Sequence, residues 1–223
     1  MRRPATDVRI GLALSGGGAK GIAHVGVLKV LEEARIPVHV LAGSSMGGVV
    51  AAVYAAGCSA AELERLVSSL RLLDIVQRDR TGLGLLGQDK IASRLREALG
   101  GDLTFDQLKR ELALVAVDLE TGEEVVIREG SVVEGVLATT ALPAVFPPLR
   151  WRNRLLIDGG VLNPVPFDVV RHSGADRVIA VHTVHDLSEV LDMLSPPPSP
   201  RGGPRMEAVI RLLLYRSRWT PLM

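Results

Sequence analysis

A chain of 223 residues that is 47% hydrophobic amounts to one domain, with ample material for a core. Its formal net charge of +1 excludes a protein that works by broad phosphate neutralisation, so no nucleic-acid partner is expected. The single cysteine, Cys58, excludes an intrachain disulfide and a thiolate zinc cluster, and its place after Gly57 suits a small packing residue at a helix end.

Aromatic residues make up only 3% of the chain, so the core must be built from Leu, Val, Ile and Ala, as in a parallel sheet covered by helices. The start, Met1-Arg2-Arg3-Pro4, is basic, but Asp7 and Arg9 interrupt before any long apolar run. No secretory signal is evident, and a cytoplasmic location is the default expectation.

Residues 8–14 read as a first strand, which runs into Ser15-Gly16-Gly17-Gly18-Ala19-Lys20-Gly21. Ala23, Val27, Leu28, Leu31 and Ala34 then recur at helical spacing. Strand, glycine loop and helix together expose backbone amides to an anion, and the helix N-terminus adds its positive dipole end. Gly16, Gly18 and Gly21 match the dinucleotide spacing Gly-x-Gly-x-x-Gly, but the next strand lacks the terminal acidic residue that would hold a ribose. Gly21 is followed by Ile22 and Ala23, not by the Lys-Ser/Thr of a P-loop. The remaining anion is the oxyanion formed when a serine attacks an ester carbonyl.

Such a serine follows on the next strand. Residues 38–42 form a short apolar run, then come Gly43-Ser44-Ser45-Met46-Gly47-Gly48 and a small-residue helix over 49–56. Strand, glycine-flanked serine and helix is the layout of a nucleophile elbow, with Ser45 as the candidate nucleophile and Gly43 and Gly47 freeing the turn. No Asp, Glu, Lys or Arg occurs over 36–61, a length that could cross a bilayer. Pro37, the β-branched start and the glycine cluster instead favour a buried strand, elbow and helix.

Beyond the elbow, Ser59 and Glu62 fit a capping box for a helix carrying Leu63, Leu66, Val67 and Leu70. Residues 71–87 mix glycines with leucines, and read as a flexible loop that is either a lid over a site or an ordinary surface connection. Residues 89–99 form a short amphipathic helix, and Thr104 with Gln107 suggests another cap. Residues 112–117 and 124–128 read as a hairpin, followed by a helix capped by Ser131 and Glu134 that ends before Pro143. The proline-stiffened segment 141–148 is either a wall of an acyl pocket or a buried connection. A second hairpin, 149–151 with 154–157, ends in Asp158-Gly159-Gly160, a turn dipeptide that also leaves an aspartate near the sheet's crevice. Pro164 and Pro166 open a helix that Gly174 ends, and 177–183 is the last clear strand. A Pro/Gly-rich linker over 194–204 leads to an amphipathic helix over 205–219. Its basic and apolar faces suit docking on the domain, with peripheral membrane contact as the alternative.

The three motifs, Gly16-Gly17-Gly18-Ala19-Lys20-Gly21, Gly43-Ser44-Ser45-Met46-Gly47 and Asp158-Gly159-Gly160, stand in that order, each at a strand end. This arrangement resembles the patatin-like phospholipase family, over about residues 9–181. The resemblance implies a three-layer α/β/α fold with a mainly parallel central sheet, and an acyl hydrolase domain over 8–183. It implies a Ser-Asp dyad without histidine, acting on acyl esters or phospholipids in lipid metabolism. Ser45 then corresponds to the nucleophile and Asp158 to the general base, with Gly16, Gly17, Gly18 and Met46 at the oxyanion hole. Lys20, Gly21, Gly43, Gly47, Gly159 and Gly160 support the motifs. Lys20 stands where the family more often carries Arg, which keeps the charge but not the guanidinium geometry. The chain also ends sooner after the last strand than is usual in that family.

Two other readings remain. One is an α/β-hydrolase esterase, whose chain order Ser, Asp, His would use Ser45 and Asp158 with His182 or the neighbouring His185. The other is a lipid-binding or regulatory protein that uses the same crevice without chemistry. His24 and His39 look like ordinary helix and strand residues, and no metal site or cofactor is proposed.

Overall fold

The computed structural model describes residues 8–69, 77–79 and 81–183. The expected linker over 194–204, the helix over 205–219, His185 and part of the 71–87 loop lie outside the described residues.

Four strands form the parallel part of one sheet: β1 (Ile10–Leu14), β2 (Val40–Ser44), β3 (Glu111–Asp118) and β7 (Arg177–Val181), in the order β7-β1-β2-β3. Side chains alternate between its faces. Leu12, Leu14, Leu41, Leu112 and Leu114 point into one buried cluster, whereas Ala13, Val40, Ala42, Ala113 and Val115 point into another. Each fully buried leucine contributes about 1.5–3 kcal/mol relative to exposure, so two covered faces explain the apolar runs read from the sequence. The larger cluster is closed by α1 (His24–Glu33), α2 (Met46–Ala56), α3 (Ala60–Ser69), α4 (Asp89–Leu99) and α5 (Val132–Thr139). The smaller is closed by Val169 and Val170 of α6 (Phe167–His172). Helices on both faces of a mainly parallel sheet make the expected three layers.

The capping boxes at Ser59 and Thr104 are formed, whereas Ser131 caps its helix through its own hydroxyl alone. Ser59 N and Oγ each donate to Glu62 Oε2 at 2.8 Å, and Glu134 N donates to Ser131 Oγ at 3.3 Å. Thr104 and Gln107 cap only a 3₁₀ turn, Phe105–Gln107, because a strand follows almost at once. The helix after the glycine loop also begins as a 3₁₀ turn, Gly18–Ala23, before α1. Among the described residues no helix is long and apolar enough to cross a membrane.

Several strand ends shift by one or two residues from the sequence reading, β1 starting at Ile10 and β7 ending at Val181, and two boundaries at the elbow differ as well. β2 covers Val40–Ser44 instead of 38–42, because its ladders run from Val40 opposite Gly11 to Ser44 opposite Val115. Helix α2 starts at Met46 instead of residue 49, with Gly47 and Gly48 buried in its first turn. Both positions are filled: a Cβ on Gly47 would meet the Leu14 and Ser15 carbonyls, and one on Gly48 would meet the side chains of Thr139 and Leu114.

The antiparallel strands join at β3. β4 (Glu124–Ile127) pairs with residues 114–117 along one edge. On the opposite edge, β2 pairs as far as Val115, and β6 (Arg154–Asp158) takes over from Ala116. Outside β6 lies β5 (Leu149–Trp151). Parallel β2 and antiparallel β6 therefore approach each other end to end along one edge of β3. Ser44 and Asp158 sit opposite consecutive residues, Val115 and Ala116.

Candidate active site

That meeting point is where the elbow serine stands. Ser45 has φ 51° and ψ −126°, a conformation that non-glycine residues rarely adopt and that costs of order 1–3 kcal/mol. Its hydroxyl lies on the side of the Asp158 carboxylate, which is only 3% exposed. Burial pushes the Asp158 carboxyl above its ordinary value, and the nearby Ser45 hydroxyl and the Gly160 amide, which donates to Oδ1 at 2.7 Å, partly offset this. A serine in a strained turn thus stands near a carboxylate whose proton affinity is raised by desolvation.

The glycine loop closes over the other side of Ser45. A Cβ on Gly16 would lie 3.3 Å from Ser45 Cβ, and one on Gly21 would lie 2.6 Å from Met46 Cγ, so the loop packs directly on the elbow. Gly17 and Gly18 have φ 137° and 54° and turn the chain through the left-handed region. Among the described residues, the amides of Gly17 and Gly18 meet no backbone acceptor in the loop. The Gly16 amide differs from the expectation, since it donates to Pro164 O at 3.1 Å and is thereby occupied. The Met46 amide, at the start of α2, likewise meets no acceptor among the described residues. Lys20 lies in the 3₁₀ turn, its amide donating to Gly17 O at 3.1 Å, and partial burial lowers the pKa of its ammonium.

Long-range polar contacts that the sequence did not announce hold the loop in place. Thr183 Oγ1 donates to Gly16 O at 2.7 Å, and Thr183 N donates to Ser15 Oγ at 2.8 Å. His24 Nε2 donates to Ser15 O at 2.8 Å, and burial lowers its pKa, favouring the neutral ring. His24 is thus a structural brace. His39 likewise accepts from Ile10 N at 3.0 Å, just ahead of β2 instead of within it.

Gly159 has no room for a side chain, because a Cβ there would overlap the Val115 carbonyl. Gly43 is similarly filled, with a built Cβ falling 2.5 Å from Gly48 N. His182 is exposed just beyond β7, and the hydrogen bonds of Ser45 and Asp158 among the described residues do not include it. The segment over 141–148 carries part of the preceding loop, with Leu85 N and Leu86 N both donating to Val145 O at 3.0 and 2.8 Å. Asp79 folds the tip of that loop by accepting the Thr81 hydroxyl at 2.7 Å and the Thr81, Gly84 and Leu83 amides, and its pKa falls to about 2 as a result. Among the described residues no cluster of side chains could hold a metal ion.

Comparison with known proteins converges on the same region. The family model described as patatin-like phospholipase matches residues 12–171. An uncharacterized NTE family protein of Mycobacterium tuberculosis is 35% identical over 181 residues, covering 80% of this chain and 50% of that protein. Patatin-like phospholipase domain-containing protein 6 of Mus musculus is 32% identical over 206 residues, covering 87% of this chain and 15% of that protein. The chain therefore spans about half the length of the first relative and far less of the second. The crystal structure of VipD from Legionella pneumophila superposes with a TM-score of 0.57 at 16% identity, over 70% of this chain and 46% of that one, a likeness of fold.

Proposed function

Because this chain belongs to the patatin-like phospholipase family, we propose that it is a serine acyl hydrolase whose catalytic unit is Ser45 and Asp158. The observation that carries this reading is the hydroxyl of a strained elbow serine held against a buried carboxylate with a raised pKa.

In this mechanism Asp158 accepts the Ser45 proton as Oγ bonds to the ester carbonyl carbon. The carbonyl oxygen becomes an oxyanion, stabilised by the amides of Gly17, Gly18 and Met46. Collapse of the tetrahedral intermediate breaks the bond to the alkoxy oxygen, and Asp158 returns the proton to the leaving alcohol. Water, deprotonated by the same carboxylate, then attacks the acyl carbon; collapse breaks the bond to Oγ, Asp158 returns the proton to Ser45, and the fatty acid leaves. An ordinary aspartate, with a pKa of about 3.9, is a weak base for this task, and burial makes Asp158 a stronger one. Acyl esters of lipids, including phospholipids and lysophospholipids, are the substrate class that the family name supports.

The test is hydrolysis of p-nitrophenyl butyrate and palmitate by the purified chain, combined with a serine-directed fluorophosphonate located by mass spectrometry. Turnover with the label on Ser45 is the expected result. Folded protein that neither turns over nor takes the label removes the hydrolase reading and leaves a binding role. A second expectation concerns pH. Asp158 must be ionised to accept the proton and its pKa is raised, so kcat/KM should fall with acidity along a limb centred above the ordinary aspartate value. A profile flat down to pH 4 would contradict this assignment of the base.

A further inference from the structure

We propose that Thr139 is a positioning residue whose hydroxyl holds the Ser45 main chain in the conformation that presents Oγ to Asp158. The proposal rests on the hydrolase reading above and concerns a residue outside the three motifs.

The Ser45 amide has no place in either neighbouring element. The β2–β3 ladder stops at Ser44 opposite Val115, and α2 starts at Met46. Its N–H instead donates to Thr139 Oγ1 at 3.0 Å. The Thr139 hydroxyl donates its own proton to Val115 O, so a lone pair is left facing Ser45 and the hydroxyl has one orientation. Thr139 is fully buried, which leaves no room for water to replace that acceptor.

The neighbouring residue shows what a threonine does here when it has no such task. Thr140 Oγ1 bonds back to Val136 O at 2.8 Å, within its own helix. Thr139 instead reaches across to the turn after β2 and to β3. The Val115 carbonyl it uses is also the group against which Gly159 packs, immediately after Asp158. One carbonyl therefore serves as a common reference for the nucleophile's backbone and for the turn that carries the base. Without the hydroxyl, the left-handed Ser45 backbone loses its only described amide partner and can relax away from Asp158.

Thr139 also packs through its methyl, since Cγ2 would lie 2.7 Å from a Cβ on Gly48. Two substitutions separate the contributions. Thr139→Val keeps the shape and removes the hydroxyl; Thr139→Ser keeps the hydroxyl and removes the methyl. With p-nitrophenyl butyrate, T139V should lose about 10²-fold in kcat with KM little changed, the effect of misplacing a reacting atom. T139S should recover most of that loss, with circular dichroism showing both proteins folded. If T139V does not fold, Thr139→Ala provides the hydroxyl-free protein. Retention of wild-type kcat by T139V, or a loss in T139S as large as in T139V, would overturn the proposal, the second result assigning Thr139 to packing alone. Wild type and Ser45→Ala run alongside: an inactive, unlabelled wild type overturns the hydrolase reading itself. The role of Thr139 is then decided by hydrogen exchange, because the proposal requires the Ser45 amide to be protected in wild type and to lose that protection in T139V.

Discussion

Asp158→Asn should lose at least about three orders of magnitude in kcat and yet melt at a higher temperature than wild type at pH 7. Asparagine keeps an oxygen to accept the Gly160 amide, so the turn survives, but it cannot take the Ser45 proton. The stability gain follows from linkage. The folded-state pKa of Asp158 is raised, so between its unfolded and folded values the native state binds more protons, and stability falls as pH rises. Above the folded pKa the fold carries the full cost of a buried carboxylate, which the neutral amide removes. The gain should therefore be largest near neutrality and vanish below the ordinary aspartate pKa. Each kcal/mol corresponds to about 2–4 °C in a domain of this size. Ser45→Ala, assayed beside it, should lose activity to a similar extent. Melting curves at pH 7 and pH 4, with rates on one ester, check both halves. A D158N protein that keeps a tenth of wild-type activity would show that Asp158 is not the base.

Gly47→Ala should abolish activity and destabilise the fold by more than about 3 kcal/mol, near the top of the usual range for one methyl group. A Cβ at residue 47 would overlap the carbonyl oxygens of Leu14 and Ser15. These cannot yield easily, because Leu14 is paired on both sides, with Gly43 and Val181, and Ser15 N donates to Val181 O. Relief requires the start of α2 to lift away from β1, which moves both Ser45 and the Met46 amide. Gly26→Ala is the control. Gly26 lies within α1, exposed, with nothing within 4 Å of a built Cβ, so alanine there should be neutral or stabilising by up to about 1 kcal/mol. Urea titrations of the two variants distinguish the cases. Equal stabilities would show that close packing of the strand end on the elbow is not what fixes Gly47.

Much of this arrangement was legible locally. Helix α4 was read to the residue, and the caps at Ser59 and Ser131 were visible because a cap and its partner lie three residues apart. The glycine loop, the serine elbow and Asp-Gly-Gly were recognisable because each is a short turn whose backbone demands particular residues. Strand limits were less so: β2 could not be bounded from its own composition, since its ends depend on where β1 and β3 stop pairing.

What the sequence determined by itself is therefore the inventory: a buried parallel sheet, two glycine-rich turns, and a serine and an aspartate at strand ends. Their assembly was decided by register. β2 and β6 share one edge of β3 and meet at Val115 and Ala116, which brings Ser45 to Asp158 across more than a hundred residues of chain. The same edge hands Val115 O to Thr139, while the β1–β7 pairing brings Thr183 to Ser15 and Gly16, and Pro164 O meets the Gly16 amide. No local pattern marks these residues. Their roles come from hydrogen bonds that exist only after distant strands have aligned, and a threonine or a proline carbonyl carries no sign of its partner until that alignment is made.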